Sequence, residues 1–369
     1  MAEAPGRLLI AASGTGGHLF PAIATAKQLP NYKIEWLGVP NRLETQLVPH
    51  EYNLHTIAVE GFQQRFGLNT FKVLGRFARS LQQVRQLLKQ GQFDGVLTTG
   101  GYIAAPAIIA ARSLGLPTVL HESNAIPGKV TRWLSPWCSR VALGFEAAAQ
   151  YLPKAKTVCV GTPVRSEFLV TPEPQQPLSD LPIPETVPLI VVIGGSQGAV
   201  AVNQLIRQAA LAWFEAGAWI VHLIGENDPD AGSLQHPQYF AMPFYRHMAA
   251  LMQRADLAIS RSGAGTLTEL AVSRTPSILI PYPYAAEDHQ AYNADIFAQV
   301  GAAEVYRQSE LTSELLQERV LALLQAGDRR AQMATAAASL AVTDSAERLA
   351  ALVQELLGAV VVPKGSAAI

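Results

Sequence analysis

The sequence predicts an α/β protein built from two doubly wound, mostly parallel sheets that face a central cleft. Three observations carry this. Short apolar runs alternate with helix-period segments along both halves, as repeated βαβ units do. A strand, a glycine turn and a helix open the chain, and the same order recurs from Leu189. Between the two lies Pro172 to Pro188, with six prolines in seventeen residues, which reads as a linker. The expected division is residues 1–170, a linker over 171–188, and residues 189–369, with the last helix free to pack back on the first domain. At 369 residues the chain is long enough for two cores.

In the first half the apolar runs place strands at Arg7 to Ala12, Lys33 to Val39, His55 to Val59, Gly95 to Thr99, Thr118 to His121, Arg140 to Leu143 and Thr157 to Val160. Leu19 to Leu29 reads as a helix, and Asn69 to Gln90 is a further candidate. In the second half strands are expected at Leu189 to Ile193, Trp219 to Ile224, Tyr239 to Met242, Leu257 to Ser260, Ser277 to Pro281 and Ala303 to Tyr306. Helices are expected at Val202 to Glu215, Met248 to Arg254, Thr266 to Ser273, Gln290 to Val300, Ser313 to Ala326, Arg329 to Leu340 and Ser345 to Leu357.

Composition narrows the function. Hydrophobic residues make up 49% and charged residues 15%, which implies extensive burial. The net charge of −1 leaves no overall field to recruit nucleic acid. The two cysteines, Cys138 and Cys159, do not form a close pair, which fits a reducing compartment and excludes a cysteine-built zinc site. No apolar run reaches the length of a membrane span, so a cytoplasmic protein is expected.

Chemistry is expected in the loops beyond the strand ends. Ser13-Gly14-Thr15-Gly16-Gly17-His18 is a strand-to-helix turn whose glycines permit positive φ and close approach. The helix start favours an oxygen-rich or anionic ligand, and it disfavours a cation, so His18 is expected to be neutral and able to take a proton. A tight turn with a packing histidine is the plainer alternative. Thr99-Gly100-Gly101-Tyr102 and His121-Glu122-Ser123-Asn124 fall at equivalent strand ends. In the second half Ser260 to Glu269 forms another such turn, whose exposed amides can hold a diphosphate without a metal. Glu269, one turn into that helix, suits the hydroxyls of a ribose; alternatively Thr266 and Glu269 form a capping box. Glu287-Asp288-His289-Gln290 offers further partners for sugar hydroxyls.

Competing motifs fail. Neither glycine turn is G-x-G-x-x-G with an acidic residue about twenty positions on, and the P-loop Lys-Ser/Thr is absent. His121-Glu122 lacks a second zinc-binding histidine. Asp228-Pro229-Asp230 reads as a surface turn before it reads as a divalent-metal pair. From Gly61 to Phe93 the chain carries Arg65, Lys72, Arg76, Arg79, Arg85 and Lys89 and no acidic residue. As a helix, this segment would put Phe71, Leu74, Phe77, Ala78, Leu81 and Leu88 on one side, with Lys72, Arg76 and Arg79 roughly opposite. That stripe is either a solvated face or, with the aromatic loop Phe62 to Phe66, a surface for anionic lipid.

Six ordered stretches resemble one family: Gly14 to Ala22, Gly100-Gly101-Tyr102, His121 to Asn124, Gly161-Thr162-Pro163-Val164-Arg165, Gly194-Gly195-Ser196-Gln197-Gly198-Ala199, and Arg261 to Glu269. They are similar to the peptidoglycan N-acetylglucosaminyltransferases of glycosyltransferase family 28, which have the GT-B fold. The resemblance implies UDP-N-acetylglucosamine as donor on the C-terminal half. It implies an undecaprenyl-linked acceptor, lipid I, on the N-terminal half, and inverting transfer that yields lipid II. By the same resemblance Ser196, Arg165 and Gly263, Ala264, Gly265 and Thr266 grip the nucleotide and its phosphates. Glu269 binds the ribose, Gln290 and Asn124 contact the sugar, Thr15, Gly16 and Gly17 face the donor, and Tyr245 stands where backbone reads the uracil. His18 is the expected base and Glu122 its rival, with Tyr102, Asn124 and Asn203 positioning. No cofactor or tightly held metal is implied, and residues 61–89 would meet the inner leaflet. A transferase acting on another lipid such as diacylglycerol, a UDP-N-acetylglucosamine 2-epimerase and a catalytically silent sugar-nucleotide binder are the alternatives.

Overall fold

The computed structural model describes residues 6–59, 68–170, 178, 180–195 and 198–358, with side chains of the segment after 67 described from residue 73 onward. The chain divides into two compact units, one of Met1–Arg165 with Asp344–Ile369 and the other of Ser166–Thr343.

The first unit holds β1 (Gly6–Ala11), β2 (Tyr32–Gly38), β3 (Asn53–Thr56), β4 (Gly95–Thr98), β5 (Thr118–Glu122), β6 (Arg140–Leu143) and β7 (Thr157–Cys159). Its helices are α1 (Gly16–Lys27), α2 (Glu44–Leu47), α3 (Leu68–Gln90), α4 (Ala104–Ser113) and α5 (Lys129–Leu134). The sheet order is β3-β2-β1-β4-β5-β6-β7, and every neighbouring pair is parallel. The second unit holds β8 (Leu189–Ile193), β9 (Trp219–Leu223), β10 (Tyr239–Met242), β11 (Leu257–Ser260), β12 (Ser277–Leu279) and β13 (Ala303–Val305). With them run α6 (Val200–Glu215), α7 (Met248–Arg254), α8 (Ala264–Val272), α9 (His289–Gln299), α10 (Ser313–Gln325) and α11 (Gly327–Ser339). Its six strands, also all parallel, are ordered β10-β9-β8-β11-β12-β13.

Central strands covered by helices on both faces need apolar residues at every position, not at alternate ones. That is why Leu8-Leu9-Ile10-Ala11 and Leu189-Ile190-Val191-Val192 are continuous runs, each residue at most 1% exposed. In both sheets the strand order reverses once, between β1 and β4 and between β8 and β11. Ligands of open parallel sheets bind beyond the strand ends at such a reversal. The Gly14 and Gly100 turns follow β1 and β4, and the Gly194 and Gly263 turns follow β8 and β11.

The last helix, α12 (Ser345–Gly358), belongs to the first unit. Its Leu349, Ala350, Val353 and Leu357 join a core with Leu8, Ile10, Leu19 and Ala22. Gly95 makes room for it, since a Cβ there would lie 2.5 Å from Leu357 Cδ2. Ser345 Oγ donates to the Thr162 carbonyl at 3.1 Å.

Helix α3 differs from expectation in which face it buries. Leu74 is 49% exposed, and Ala78 is exposed beside Arg76 and Arg79. The buried seam is Ser80, Val84 and Leu88, flanked by Phe77 and Leu81. Neighbouring residues cover only a narrow i, i+4 stripe, so apolar residues one step around the helix stay outside it. Phe71 and Lys72 as side chains, and Phe62, Arg65 and Phe66 altogether, lie outside the described residues. Strand β3 ends at Thr56, earlier than the apolar run through Val59 suggested.

Candidate active site

In the first unit the chain leaves β1 through Gly14, at φ +103°, and α1 starts at Gly16 behind the N-cap Thr15. The helix therefore begins three residues before the apolar spacing suggested, and Gly16, Gly17 and His18 form its first turn. The amides of His18 and Leu19 donate to the Thr15 carbonyl at 3.0 and 3.1 Å. His18 Nδ1 lies 2.6 Å from the Thr99 carbonyl oxygen. A carbonyl only accepts, so Nδ1 carries a proton, and in the neutral imidazole Nε2 is the acceptor. Thr99 Oγ1 donates back to the His18 carbonyl at 2.9 Å. Gly100 and Gly101, at φ +93° and +75°, bring the backbone against the imidazole, to which a Cβ would lie 3.4 and 3.6 Å away. Tyr102, next in the chain, is 44% exposed.

Arg165 reaches the same helix. Its guanidinium sits over the Phe20 ring, 4.5 Å from the centroid, a cation–π contact. Phe20 in turn occupies space a side chain at Gly16 would take, since a Cβ there would lie 2.7 Å from the ring.

Glu122 is buried, and both of its oxygens are occupied. Oε1 accepts from the Asn124 amide at 3.1 Å and Asn124 Nδ2 at 3.0 Å. Oε2 accepts from the Gly128 amide at 3.2 Å and Thr131 Oγ1 at 2.7 Å. A carboxylate that gathers four donors holds a loop in shape and is poorly placed to take a proton from a substrate. Next to it, burial lowers the pKa of His121, whose Nε2 lies 2.9 Å from the Gly161 carbonyl.

In the second unit α8 starts at Ala264 with Gly263 as N-cap and no side-chain cap. Thr266 is thus the third helical residue, and the capping-box alternative for Thr266 and Glu269 does not hold. The first-turn amides of Ala264, Gly265 and Thr266 have no earlier turn of helix to bond to. Gly265, Thr266 and Glu269 are half-buried and one turn apart on one side of the helix. Arg261 pins the turn from behind, donating to the Ile280 and Pro281 carbonyls at 3.1 and 3.2 Å and to Gln308 at 2.6 Å. Burial lowers its pKa to about 10.

Gln290 faces this turn. Its Oε1 accepts from the Tyr282 amide at 2.9 Å and the Ser262 amide at 3.3 Å, and its carbonyl accepts from Ser262 Oγ at 2.7 Å. Those bonds fix the plane of the carboxamide. Asp288, at φ +56°, pairs with Arg307 at 2.7 Å, and His289 Nδ1 lies 2.9 Å from the Ala286 carbonyl.

Two expected contacts are used internally. Asn203 is fully buried: Nδ2 donates to the Ile224 carbonyl at 2.9 Å and to Asp228 at 2.6 Å, and Oδ1 accepts from His222 Nε2 at 3.0 Å. It braces the 225–230 turn. The Tyr245 ring is buried and its hydroxyl donates to Asp180 at 2.7 Å, so only its backbone remains for a ligand. Asp228 has both oxygens on Arg207, at 2.8 and 3.2 Å, which explains the Asp228-Pro229-Asp230 turn as an ion-paired brace. Ser196 lies outside the described residues; the flanking Gly195 and Gly198 have φ +83° and +74°.

Sequence reasoning missed Glu44, Arg261 and the Arg207–Asp228–Asn203–His222 network. Arg261 stood inside a recognised motif. Glu44 and the network depend on contacts between distant segments, and no local pattern marks them.

The chain matches the glycosyltransferase family 28 N-terminal domain over residues 8–143 and the glycosyltransferase family 28 C-terminal domain over 189–349. It is 68% identical to the UDP-N-acetylglucosamine–N-acetylmuramyl-(pentapeptide) pyrophosphoryl-undecaprenol N-acetylglucosamine transferase of Nostoc punctiforme, over 97% of this chain and 99% of that one. It is 64% identical to the protein of that name from Trichodesmium erythraeum, over 96% and 93%. The crystal structure of Acinetobacter baumannii MurG aligns with a TM-score of 0.74 at 29% identity, covering 95% of this chain and all of that one. A putative UDP-N-acetylglucosamine 2-epimerase from Listeria monocytogenes aligns at 0.69 with 14% identity, a likeness of fold alone. The chain is therefore a glycosyltransferase of the GT-B fold, a member of family 28 within its UDP-N-acetylglucosamine–N-acetylmuramyl-(pentapeptide) pyrophosphoryl-undecaprenol N-acetylglucosamine transferases.

Proposed function

We propose that this enzyme transfers N-acetylglucosamine from UDP-N-acetylglucosamine to the 4-hydroxyl of the muramoyl sugar of lipid I, inverting the anomeric carbon and forming lipid II. The observation that carries the mechanism is the 2.6 Å contact of His18 Nδ1 with Thr99 O. It leaves Nε2 as a proton acceptor held by two backbone segments. His18 removes the hydroxyl proton as the oxygen attacks the face opposite UDP, a contribution of roughly 10² to 10⁴-fold. Glu122 is not the base; it shapes the Asn124 loop. Tyr102, Asn124 and the Thr15-Gly16-Gly17 turn orient the reacting sugars.

The second unit takes the donor. Its diphosphate lies at the first turn of α8, over Gly263, Ala264, Gly265 and Thr266, with Ser196 as a further phosphate contact. The ribose is held by Glu269, the sugar by Gln290 and the uracil by the Tyr245 backbone. Charge that develops on departing UDP is offset by the amides at the start of α8, so no bound metal is needed. Asn203 supports this site through the 225–230 turn and does not touch substrate.

Among the described residues no helix is long and apolar enough to cross a membrane. A lipid-linked acceptor places the enzyme at the cytoplasmic face of the plasma membrane, bound peripherally to anionic lipid through the 61–89 segment. Nucleic acid is not a partner. The product feeds wall growth, and through it cell shape and division. UDP release measured with and without a lipid I analogue tests the reading. Release that needs the analogue and is not supported by diacylglycerol is expected; isomerised donor without acceptor, or transfer to diacylglycerol, would overturn it.

A further inference from the structure

Glu44, at the start of α2, is fully buried. Its Oε1 accepts from Ser13 Oγ at 2.5 Å and the Val39 amide at 2.6 Å, and its Oε2 from the Gly14 amide at 3.3 Å. Gly38 leaves the space it fills, since a Cβ there would lie 2.8 Å from Glu44 Cγ. Two donors, Ser13 and Gly14, follow β1 where the chain turns toward α1, and the third, Val39, follows β2 on the way to α2. Taking a carboxylate out of water is costly, and packing alone would be served as well by an apolar side chain. What an apolar side chain could not do is hold Gly14 by its amide at φ +103°. That amide and the Ser13 hydroxyl set where the chain enters α1, whose third residue is His18.

We propose that Glu44 is a positioning residue: by holding Ser13 and Gly14 from behind, it sets the start of α1 so that the His18 imidazole meets the Thr99 carbonyl with Nε2 presented to substrate. This rests on His18 being the base. Glu44→Gln keeps the shape but turns an NH2 toward donors, and Ser13→Ala removes one bond and leaves Glu44 in place. Both variants are assayed for kcat and donor KM, and the His18 imidazole is followed by 15N NMR in the full-length protein. Expected is a fall in kcat of about 10 to 100-fold for Glu44→Gln and a smaller fall for Ser13→Ala. Donor KM should stay within about twofold, Gly14 amide exchange should quicken, and the His18 signal should shift from the Nδ1-protonated form toward a mixture. An unchanged His18 signal and Gly14 exchange in folded Ser13→Ala and Glu44→Gln would overturn the proposal, whatever happens to kcat. If Glu44→Gln does not fold, Ser13→Ala alone decides by the same two NMR readings. His18→Ala run in parallel separates the premises, because wild-type turnover there removes the base while the two NMR readings still judge Glu44.

Discussion

His18 Nδ1 and the Thr99 carbonyl oxygen stand 2.6 Å apart, and Thr99 Oγ1 returns a bond to the His18 carbonyl at 2.9 Å. The first helix and the loop after β4 thus hold one imidazole in one tautomer. Replacing His18 by Ala should leave donor affinity intact and lower kcat by roughly 10² to 10⁴-fold. Steady-state kinetics with a lipid I analogue, alongside donor binding by calorimetry, checks this, and a variant with undiminished kcat would remove the assignment.

Glu269 shares a side of α8 with the open amides of Gly265 and Thr266. Loss of a charged hydrogen-bond partner costs about 1.5 to 3 kcal/mol, or roughly 10 to 150-fold. Glu269→Ala should therefore raise the Kd for UDP by about that factor. A Kd for UDP equal to wild type would place the ribose elsewhere.

His222 predicts a pH effect on stability. Burial holds its pKa down at about 3, against an unfolded value of about 6.5. Its Nε2–H donates to Asn203 Oδ1, which leaves Nδ1 to accept from the Tyr239 hydroxyl at 2.8 Å. Above about pH 6.5 neither state binds the proton and this contribution is whole. As pH falls from there toward 3, the unfolded chain takes up a proton the folded one refuses, and stability drops by up to about 1.4 kcal/mol per pH unit. The melting temperature should fall more steeply between pH 6.5 and 4.5 in the wild type than in His222→Gln. Parallel curves would refute it.

Gly95 carries the docking of α12. Gly95→Ala would push a methyl against Leu357 and toward the Pro117 carbonyl, 3.0 Å away. Overpacking of this kind costs about 1 to 3 kcal/mol. Leu357→Ala opens space at the same point, so the double variant should lose less than the two single losses combined, a coupling read by denaturant titration. Additive losses would separate the two sites.

The exposed residues of α3 include Arg76, Arg79, Arg85 and Lys89, and also Leu74. Each basic residue near an anionic surface contributes about 1 kcal/mol, roughly fivefold in binding. Arg79→Glu with Leu74→Glu should weaken binding to phosphatidylglycerol vesicles by more than about 25-fold and leave turnover of a short-chain soluble acceptor within about twofold. Unchanged vesicle binding would place the lipid contact on another surface.

Two doubly wound sheets are legible in the chain alone, because parallel strands covered on both faces must be written as unbroken apolar runs such as Leu189-Ile190-Val191-Val192. It also marked the turns of the site, since backbone at positive φ favours glycine at Gly14, Gly100 and Gly101. Which groups those turns meet is visible only in the packed fold. The groups that Glu122 and His18 meet come from other segments: Gly128 and Thr131 donate to the Glu122 carboxylate, and the Thr99 carbonyl accepts from His18 Nδ1. Asn203 looked available and proved enclosed, because His222 and Asp228 reach it from other elements. Glu44 carries no recognisable motif, since Ser13 and Gly14 reach it from the end of β1, 31 and 30 residues away. Chain-local patterns record backbone geometry and burial; which polar groups meet is fixed only when distant segments pack.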